Sequence, residues 1–487
     1  MKRVDIDPIT RLEGHGKISL FLNEDGSLAN AYFMVPELRG FEQFCVGRPV
    51  EEMPLLTARI CGVCPEAHHI AGAKAADAVY GVEPPSAAKK LRELFYSVFY
   101  ATDHTTHFYA LGGPDFVVGP TAPKAERNIL GVVAKVGLEI GGEVIKMRSR
   151  GHEFIALMGG KPIHPVCAVP GGISKGLTKD DDFARAKEIV DETVEFAKFT
   201  FKLFHDIVLA NQEYVDLILS DGYKQESYSM GLVDENNQVN FYDGKVRVVA
   251  PDGSEHCKYA PNEYTEYVAE RVEPWSYLKF PYLKKVGWKG FVDGMDSGVY
   301  RATPQSRLNA SEGMPTPLAQ EEYERMVETL GGSPIHYTLA CHWARVIELM
   351  YAAERAQELI ADEEIRSDKL RNIPTQKPNE GVAIVEAPRG TLTHHYKCDE
   401  KGRIEKANLI VGTTNNNASI AMAIKKAAGQ VIKPGEKLTD GVLNMIEMAF
   451  RSYDPCLGCA THLLGGRKTI EVSLHNSVGE LLDRQIR

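Results

Sequence analysis

Residues 59–69 read RICGVCPEAHH and residues 454–462 read DPCLGCATH. Each stretch carries a Cys-x-x-Cys pair, Cys61/Cys64 and Cys456/Cys459. Such a pair lets two thiolates reach one ion, so two pairs supply four sulfurs. A small zinc knuckle closes over roughly 15–20 residues, and these pairs stand almost the whole chain apart. A larger structural zinc site, a redox metal and a redox dithiol all stay open on spacing alone. If one centre takes both pairs, the two ends of the chain must meet. The flanks add to this. Pro65 suits a first helical position, Glu66 suits the positive helix start and Gly81 suits the stop, which predicts a helix over about 65–80. Cys64 then stands at that helix start, where the macrodipole favours a thiolate. His68 follows four residues later on the same helical face. Ionisable neighbours of this kind suit proton traffic beside a thiolate-bound metal.

The remainder of the 487 residues is ordinary in composition, 44% hydrophobic and 25% charged, with a formal net charge of −10. Phosphate binding needs clustered Lys and Arg, so a nucleic-acid surface is not expected. No apolar run is long enough to span a membrane, and MKRVDIDPITRLEGHG lacks the apolar core of a signal peptide. A cytoplasmic chain is expected. Of nine cysteines, five stand singly (Cys45, Cys167, Cys257, Cys341 and Cys398) and suit small buried apolar positions rather than a disulfide scaffold.

Residues 16–35 alternate around Asp25-Gly26, the pattern of a hairpin. Helical periodicity predicts helices over 86–111, 123–147, 181–220, 316–330, 334–362, 416–428 and 437–450. Residues 236–259 and 380–411 read as sheet, and 364–380 as a surface loop. The expected architecture is one α+β unit over 1–487, mostly α, with small peripheral sheets. No dinucleotide or flavin fingerprint is present.

Six strings in order carry a family likeness: RLEGHGKI (11–18), RGFE (39–42), RICGVCPEAHH (59–69), HFYALGGPDF (107–116), EAPRGTLTHHY (386–396) and DPCLGCATH (454–462). Together they resemble the large subunit of nickel–iron hydrogenases across essentially the whole chain. The resemblance implies a large helical fold and a nickel held by all four cysteine sulfurs. Cys61 and Cys456 would be terminal nickel ligands. Cys64 and Cys459 would bridge to an iron carrying two cyanides and one carbon monoxide. Dihydrogen would be split heterolytically and oxidised by two electrons.

The resemblance also assigns roles around that centre. Glu13 would take the proton from a cysteine sulfur and pass it outward. Arg389 would project over the open site, with Asp115 and Asp454 as its charged partners. His68 would hydrogen-bond a bridging sulfur, while His69 would be structural. Glu42, His462 and the backbone carbonyl of Leu409 would hold a magnesium ion, or an iron in its place. The Leu409 position rests on LIVGTTNNN, which departs from the family's usual wording.

All paired cysteines are then used, so an iron–sulfur small subunit is implied, with further flavin or iron–sulfur subunits. The wording CGVCPEAHH followed by AADAVYGVEPP is most similar to the soluble cytoplasmic group. That group includes methyl-viologen-reducing, sulfur-reducing, NAD(P)-linked and electron-bifurcating complexes. Residues 463–487, LLGGRKTIEVSLHNSVGELLDRQIR, match a tail that a maturation protease removes after the His, although TIEVSLHN alternates like a strand. Two other classes stand beside this one. A quinone-site relative from respiratory NADH dehydrogenase would lack the cysteine pairs, and a zinc-stabilised structural protein would hold zinc alone.

Overall fold

The computed structural model describes residues 2–462, 471–476 and 480–486. Its centre is the helix Cys341–Ala361, whose first four turns bury side chains on every face, as a central helix must. Helices Ser86–Thr106 and Asp180–Phe204 pack against it, and Leu138–Gly159 packs on both of these. Around this bundle lie small sheets: two of three strands, one of four and three two-stranded pairs. The expected mostly helical α+β architecture is therefore present. Among the described residues no helix is long and apolar enough to cross a membrane.

The hairpin Glu380–Ala387/Gly390–Cys398 does the most to build the site. The helix Pro65–Val79 lies across it, and its turn at Pro388-Arg389 points into the protein rather than into solvent. A buried turn needs its carbonyls satisfied. Tyr96 and Tyr100 hydroxyls donate to Glu386 O and Ala387 O, and Asn416 Nδ2 donates to Arg389 O. Gly390, at φ +148°, has no room for a side chain, because a Cβ would meet Ala302 O at 2.4 Å. Beneath the turn, Arg307 reaches Glu348 through two bonds of 2.6 Å and Glu386 at 3.0 Å, and His104 Nε2 lies 2.9 Å from Glu348. Burial pushes Glu386 up to about 7. Removing Arg307 would strand two buried carboxyls without their cation, a loss of about 3–5 kcal/mol by the measure of broken buried pairs.

Several expected helices are interrupted. The 123–147 prediction is corrected to Ile129–Val136 and Leu138–Gly159, because Gly137 at φ +95° breaks the run. The 86–111 helix continues as a π-helical stretch at His107–Gly112, and the long 181–220 helix gives way to another at His205–Leu209. The helix expected from 334 begins at Cys341. The N-terminal hairpin forms as Lys17–Leu22 and Leu28–Met34, with Gly26 at φ +87° in its turn.

Candidate metal centre

The two ends of the chain meet at a short parallel bridge between Glu13 and Cys456. Leu457 N donates to Glu13 O at 2.9 Å, and Gly458 N donates to Glu13 Oε2 at 2.9 Å. Arg39 clamps both cysteine segments, since its Nη1 donates to Ile60 O at 2.8 Å and to Gly458 O at 2.9 Å. Cys456 N is held by Thr413 Oγ1 at 2.9 Å. Asp454, two residues earlier, adopts φ +52°. That conformation costs a non-glycine residue on the order of 1–3 kcal/mol, and here it belongs to a carboxylate aimed at Arg389.

These contacts bring the four sulfurs of Cys61, Cys64, Cys456 and Cys459 within 4.8 Å of one another, all buried. Cys61 Sγ lies 3.4 Å from Cys456 Sγ, Cys64 Sγ lies 3.6 Å from Cys459 Sγ, and the Cys456 and Cys459 sulfurs are 2.8 Å apart. Cys64 caps the helix Pro65–Val79, as the sequence predicts. Hydrogen bonds from the neighbouring thiols hold Cys61 well below the ordinary thiol range, while burial pushes Cys456 and Cys459 up. Val63 N also donates to Cys61 Sγ at 3.1 Å. Four buried cysteine sulfurs form a soft donor set that fits nickel and low-spin iron.

The polar groups around the cluster differ in part from expectation. Glu13 Oε2 lies 3.0 Å from Cys456 Sγ, within hydrogen-bond reach. Arg389 Nη1 lies 3.1 and 3.2 Å from the two oxygens of Asp103, and Nη2 lies 3.0 Å from Asp454 Oδ2. Burial opposes the guanidinium charge, but Asp103 and Asp454 hold it, and the sulfurs of Cys64 and Cys456 add to their pull. Asp115 is therefore corrected. It pairs with Arg11 and, at 3.1 Å, with Arg451, and Asn444 donates to it at 3.0 Å. Despite burial, those two arginines hold it below the usual carboxylate range.

His68 is also found with a different neighbour. Its Nδ1 lies 3.2 Å from His394 Nε2 rather than against a sulfur. His69 is structural, with Nδ1 donating to Pro54 O and Nε2 accepting from Ala168 N, both at 2.9 Å.

Asp103 and Arg345 carry no motif in the sequence, and Glu66 reads there only as a helix-start residue. In the structure Glu66 is buried in the first helical turn after Cys64, and burial pushes it up to about 8. Arg345 is fully buried, donates to Ser452 O at 3.1 Å, and has no carboxylate at ion-pair distance among the described residues. Its charge instead acts on Asp454.

A second cluster lies close by. Glu42, Leu409 and His462 line a cavity of about 10 Å³ together with Cys459, room for one small ion or water. His462 Nε2 lies 2.8 Å from Leu409 O and 3.8 Å from Glu42 Oε1, and Leu409 N donates to Glu42 Oε1 at 2.8 Å. His462 Nδ1 is buried and has no hydrogen-bond partner among the described residues.

Comparison with known proteins agrees with this centre. The family model described as "Nickel-dependent hydrogenase" matches residues 39–135 and 231–462, and one described as "HoxL-like" matches residues 3–38. The chain belongs to the nickel-dependent hydrogenase family, in its large-subunit branch. Within that family it is the catalytic subunit, the one that carries the dihydrogen-oxidising centre.

It is 47% identical over 482 residues to an iron-sulfur subunit of the F420-non-reducing hydrogenase of Archaeoglobus profundus, covering 99% of each chain. To the "NAD-reducing hydrogenase HoxS subunit beta" of Cupriavidus necator it is 37% identical, covering 100% of each. A solved NAD+-reducing [NiFe]-hydrogenase in the H2-reduced state superposes with a TM-score of 0.89 at 37% identity, over 95% of this chain and 100% of that one.

Proposed function

We propose that this subunit oxidises dihydrogen reversibly at a nickel–iron centre held by Cys61, Cys64, Cys456 and Cys459, with carbon monoxide and cyanide on the iron. One observation carries the reading: Glu13 Oε2 stands 3.0 Å from Cys456 Sγ within a closed cluster of four buried thiols. The centre, when bound, supplies the heterolytic two-electron chemistry of dihydrogen. The chain's own residues manage the proton and the charge. A proton on Cys456 Sγ passes to Glu13 Oε2, the nearest carboxylate oxygen. The exposed His15–Glu37 pair follows along the same segment and offers a way out. Arg389, fixed by Asp103 and Asp454, sets a buried cation at the open face of the cluster, where a preorganised charge acts most strongly.

Elemental analysis with infrared spectroscopy tests the centre. Nickel, iron and bands of carbon monoxide and cyanide are expected. Zinc alone, without such bands, would replace this reading with a structural zinc protein. Arg389→Lys keeps the charge but loses the planar fork that spans two carboxylates. Its rate should fall about 10²-fold at unchanged nickel content. A parallel loss of nickel and activity would make Arg389 an assembly residue instead.

Glu42, His462 and the Leu409 carbonyl are proposed to hold a magnesium ion. Carboxylate and carbonyl oxygens suit it, and His462 would turn a nitrogen from Leu409 O to the ion. Electrons leave to an iron–sulfur small subunit. Exposed apolar side chains on segments bordering Cys61 (Leu38, Phe44, Val46, Leu55, Val63 and Ile163) offer that partner a docking face beside the centre. Beyond it, flavin or iron–sulfur subunits would carry electrons to a soluble cytoplasmic acceptor such as NAD(P), ferredoxin, a disulfide or sulfur.

We also propose removal of residues 463–487 by a maturation protease. The cut after His462 falls on residues 463–470, outside the described residues; strands Glu471–His475 and Leu481–Ile486 pair farther on. Intact mass of nickel-loaded protein should end at His462. Active protein ending at Arg487 would make the tail a permanent element.

A further inference from the structure

Arg301 is a wholly buried cation that no carboxylate among the described residues meets at ion-pair distance. Its Nη1 donates to Gln305 Oε1 at 3.3 Å, while Nε and Nη2 have no hydrogen-bond partner among the described residues. Arg92, Arg307 and Arg451 are buried as deeply, yet each has its carboxylates: Asp77 for the first, Glu348 and Glu386 for the second, Asp115 and Glu447 for the third. Arg345 touches none but lies in the field of Asp454. Arginine does not give up its proton in a protein, and a buried charge left uncompensated is strongly destabilising. The countercharge for Arg301 must come from outside the chain.

Its surroundings are polar and neutral. The strand Tyr300–Arg301 runs parallel to the strand Tyr228–Val233, with Arg301 opposite Ser229. Register partners share a face, and so do alternate residues of an extended run, which puts Ser227 and Gln225 on the side of Arg301. A bridge between Lys224 and Tyr337, and Gln225 N donating to His336 O at 2.9 Å, hold that run in place. Ser227 Oγ and Gln225 Nε2 are buried and have no hydrogen-bond partner among the described residues. Tyr453 Oη lies 3.2 Å from Gln225 Oε1 and 3.4 Å from Ser419 O, with Thr338 as a further partner. Gln305 Oε1 is shared with Cys341 Sγ at 3.4 Å. Burial pushes the Tyr453 phenol up to about 12 against the pull of Arg301. Burial and the same cation push His336 down, and its Nε2–H donates to Pro251 O. Neither ring carries a charge at neutral pH.

We propose that Arg301, with Ser227 and the Gln225 amide, binds one small oxyanion of the carboxylate class, the size of formate or bicarbonate. Nε–H and Nη2–H lie parallel along one edge of the guanidinium, and that fork matches two oxygens of a single planar anion. The ligand is a free ion rather than a side chain of a partner, because Arg301, Gln225 and Ser227 are at most 2% exposed. Entry is short: Lys224 and His336, beside the site, are half-buried and Glu226 is exposed. The bound ion ties the strand Tyr300–Arg301 to the run before Tyr228, and Gln225 in that run meets Tyr453. Tyr453 leads directly into Asp454 and Cys456, so the site steadies the segment that carries the second cysteine pair. The inference stands independently of which metal that pair holds.

The test uses the assembled enzyme, exchanged into a buffer whose only anion is a bulky sulfonate. Carbon-14 formate and carbon-14 bicarbonate are offered separately by equilibrium dialysis, with chloride as the comparison. At least one of the two should bind saturably to this subunit, and the arm that binds identifies the source. At a hundredfold excess over its dissociation constant it should raise the thermal midpoint by about 2–5 °C. Arg301→Met keeps a long side chain without the charge or the fork, and should lose both the binding and the shift. Ser227→Ala removes one hydrogen bond and should weaken binding about tenfold; it supplies the comparison if Arg301→Met does not assemble. A crystal grown with the bound anion should show two oxygens along the Nε/Nη2 edge. Water alone on that edge, no saturable binding of either anion, chloride binding as tightly, or binding unchanged in the variants would overturn the proposal.

Discussion

Cys456→Ala should abolish dihydrogen-dependent dye reduction and bring bound nickel to background. The expected loss is complete because the four sulfurs form one closed donor set. An alanine at 456 removes one sulfur and also deprives Glu13 of the atom 3.0 Å from its carboxylate. The carboxylate left beside the vacated position is a hard donor and does not replace a thiolate on a soft metal. Cys61→Ala, Cys64→Ala and Cys459→Ala should behave alike. Cys257 and Cys398 lie on strands away from the cluster, so their alanine variants should keep near-parental activity. Nickel content by elemental analysis and dye reduction under dihydrogen measure both halves of the prediction. Retained activity in Cys456→Ala would overturn the ligand assignment.

Glu13→Gln should assemble the centre and then turn over slowly. The glutamine carbonyl can still accept from Gly458 N, and the backbone bond to Leu457 is untouched, so the bridge between the chain ends survives. The amide cannot alternate between charged and protonated forms. Removing a general acid–base group of this kind costs about 10²–10⁴-fold. Nickel content should match the parent, while dye reduction and exchange of dihydrogen with deuterated water fall together. Parental exchange in Glu13→Gln would place the proton route elsewhere.

The residues fixed by local chemistry are legible in the sequence. Cys64 at a helix start, Pro65 behind it and Gly81 at the stop are short-range signals, and the helix spans Pro65–Val79. The pairing of the chain ends follows from four thiols needing one centre. The partner of Arg389 is not legible, because it depends on which face a buried helix turns. Asp115 belongs to a recognisable string. The π-helical stretch at His107–Gly112 lies between it and Asp103 and offsets the two faces, so Asp103 meets Arg389 while Asp115 meets Arg11 and Arg451. Nothing in YATDHTTHFY marks Asp103 above its neighbours, since Thr102, His104 and Thr105 are buried as well. Arg345 is hidden for the same reason: a cation in an apolar helix reads as a surface position until the helix is found to be central. The break at Gly137 does carry a plain signal, a glycine within a periodic run.

The bridge between Glu13 and Cys456 joins residues 443 apart, and this sets a clock on the protein's synthesis. Cys61 precedes Cys456 by 395 residues. At bacterial-to-eukaryotic elongation rates the first thiol pair waits roughly 20–80 s for the second. During that interval the nascent chain carries half a site: Cys61 and Cys64 ahead of the helix Pro65–Val79, with no facing sulfurs. The bridge is also among the longest-range contacts in the fold, so its closure comes late in folding. A soft metal offered before then would find two donors instead of four and would be free to leave or to bind the wrong pair. Faithful loading is thus a matter of timing as well as affinity. A metal that is to meet all four sulfurs must arrive after translation has passed residue 459.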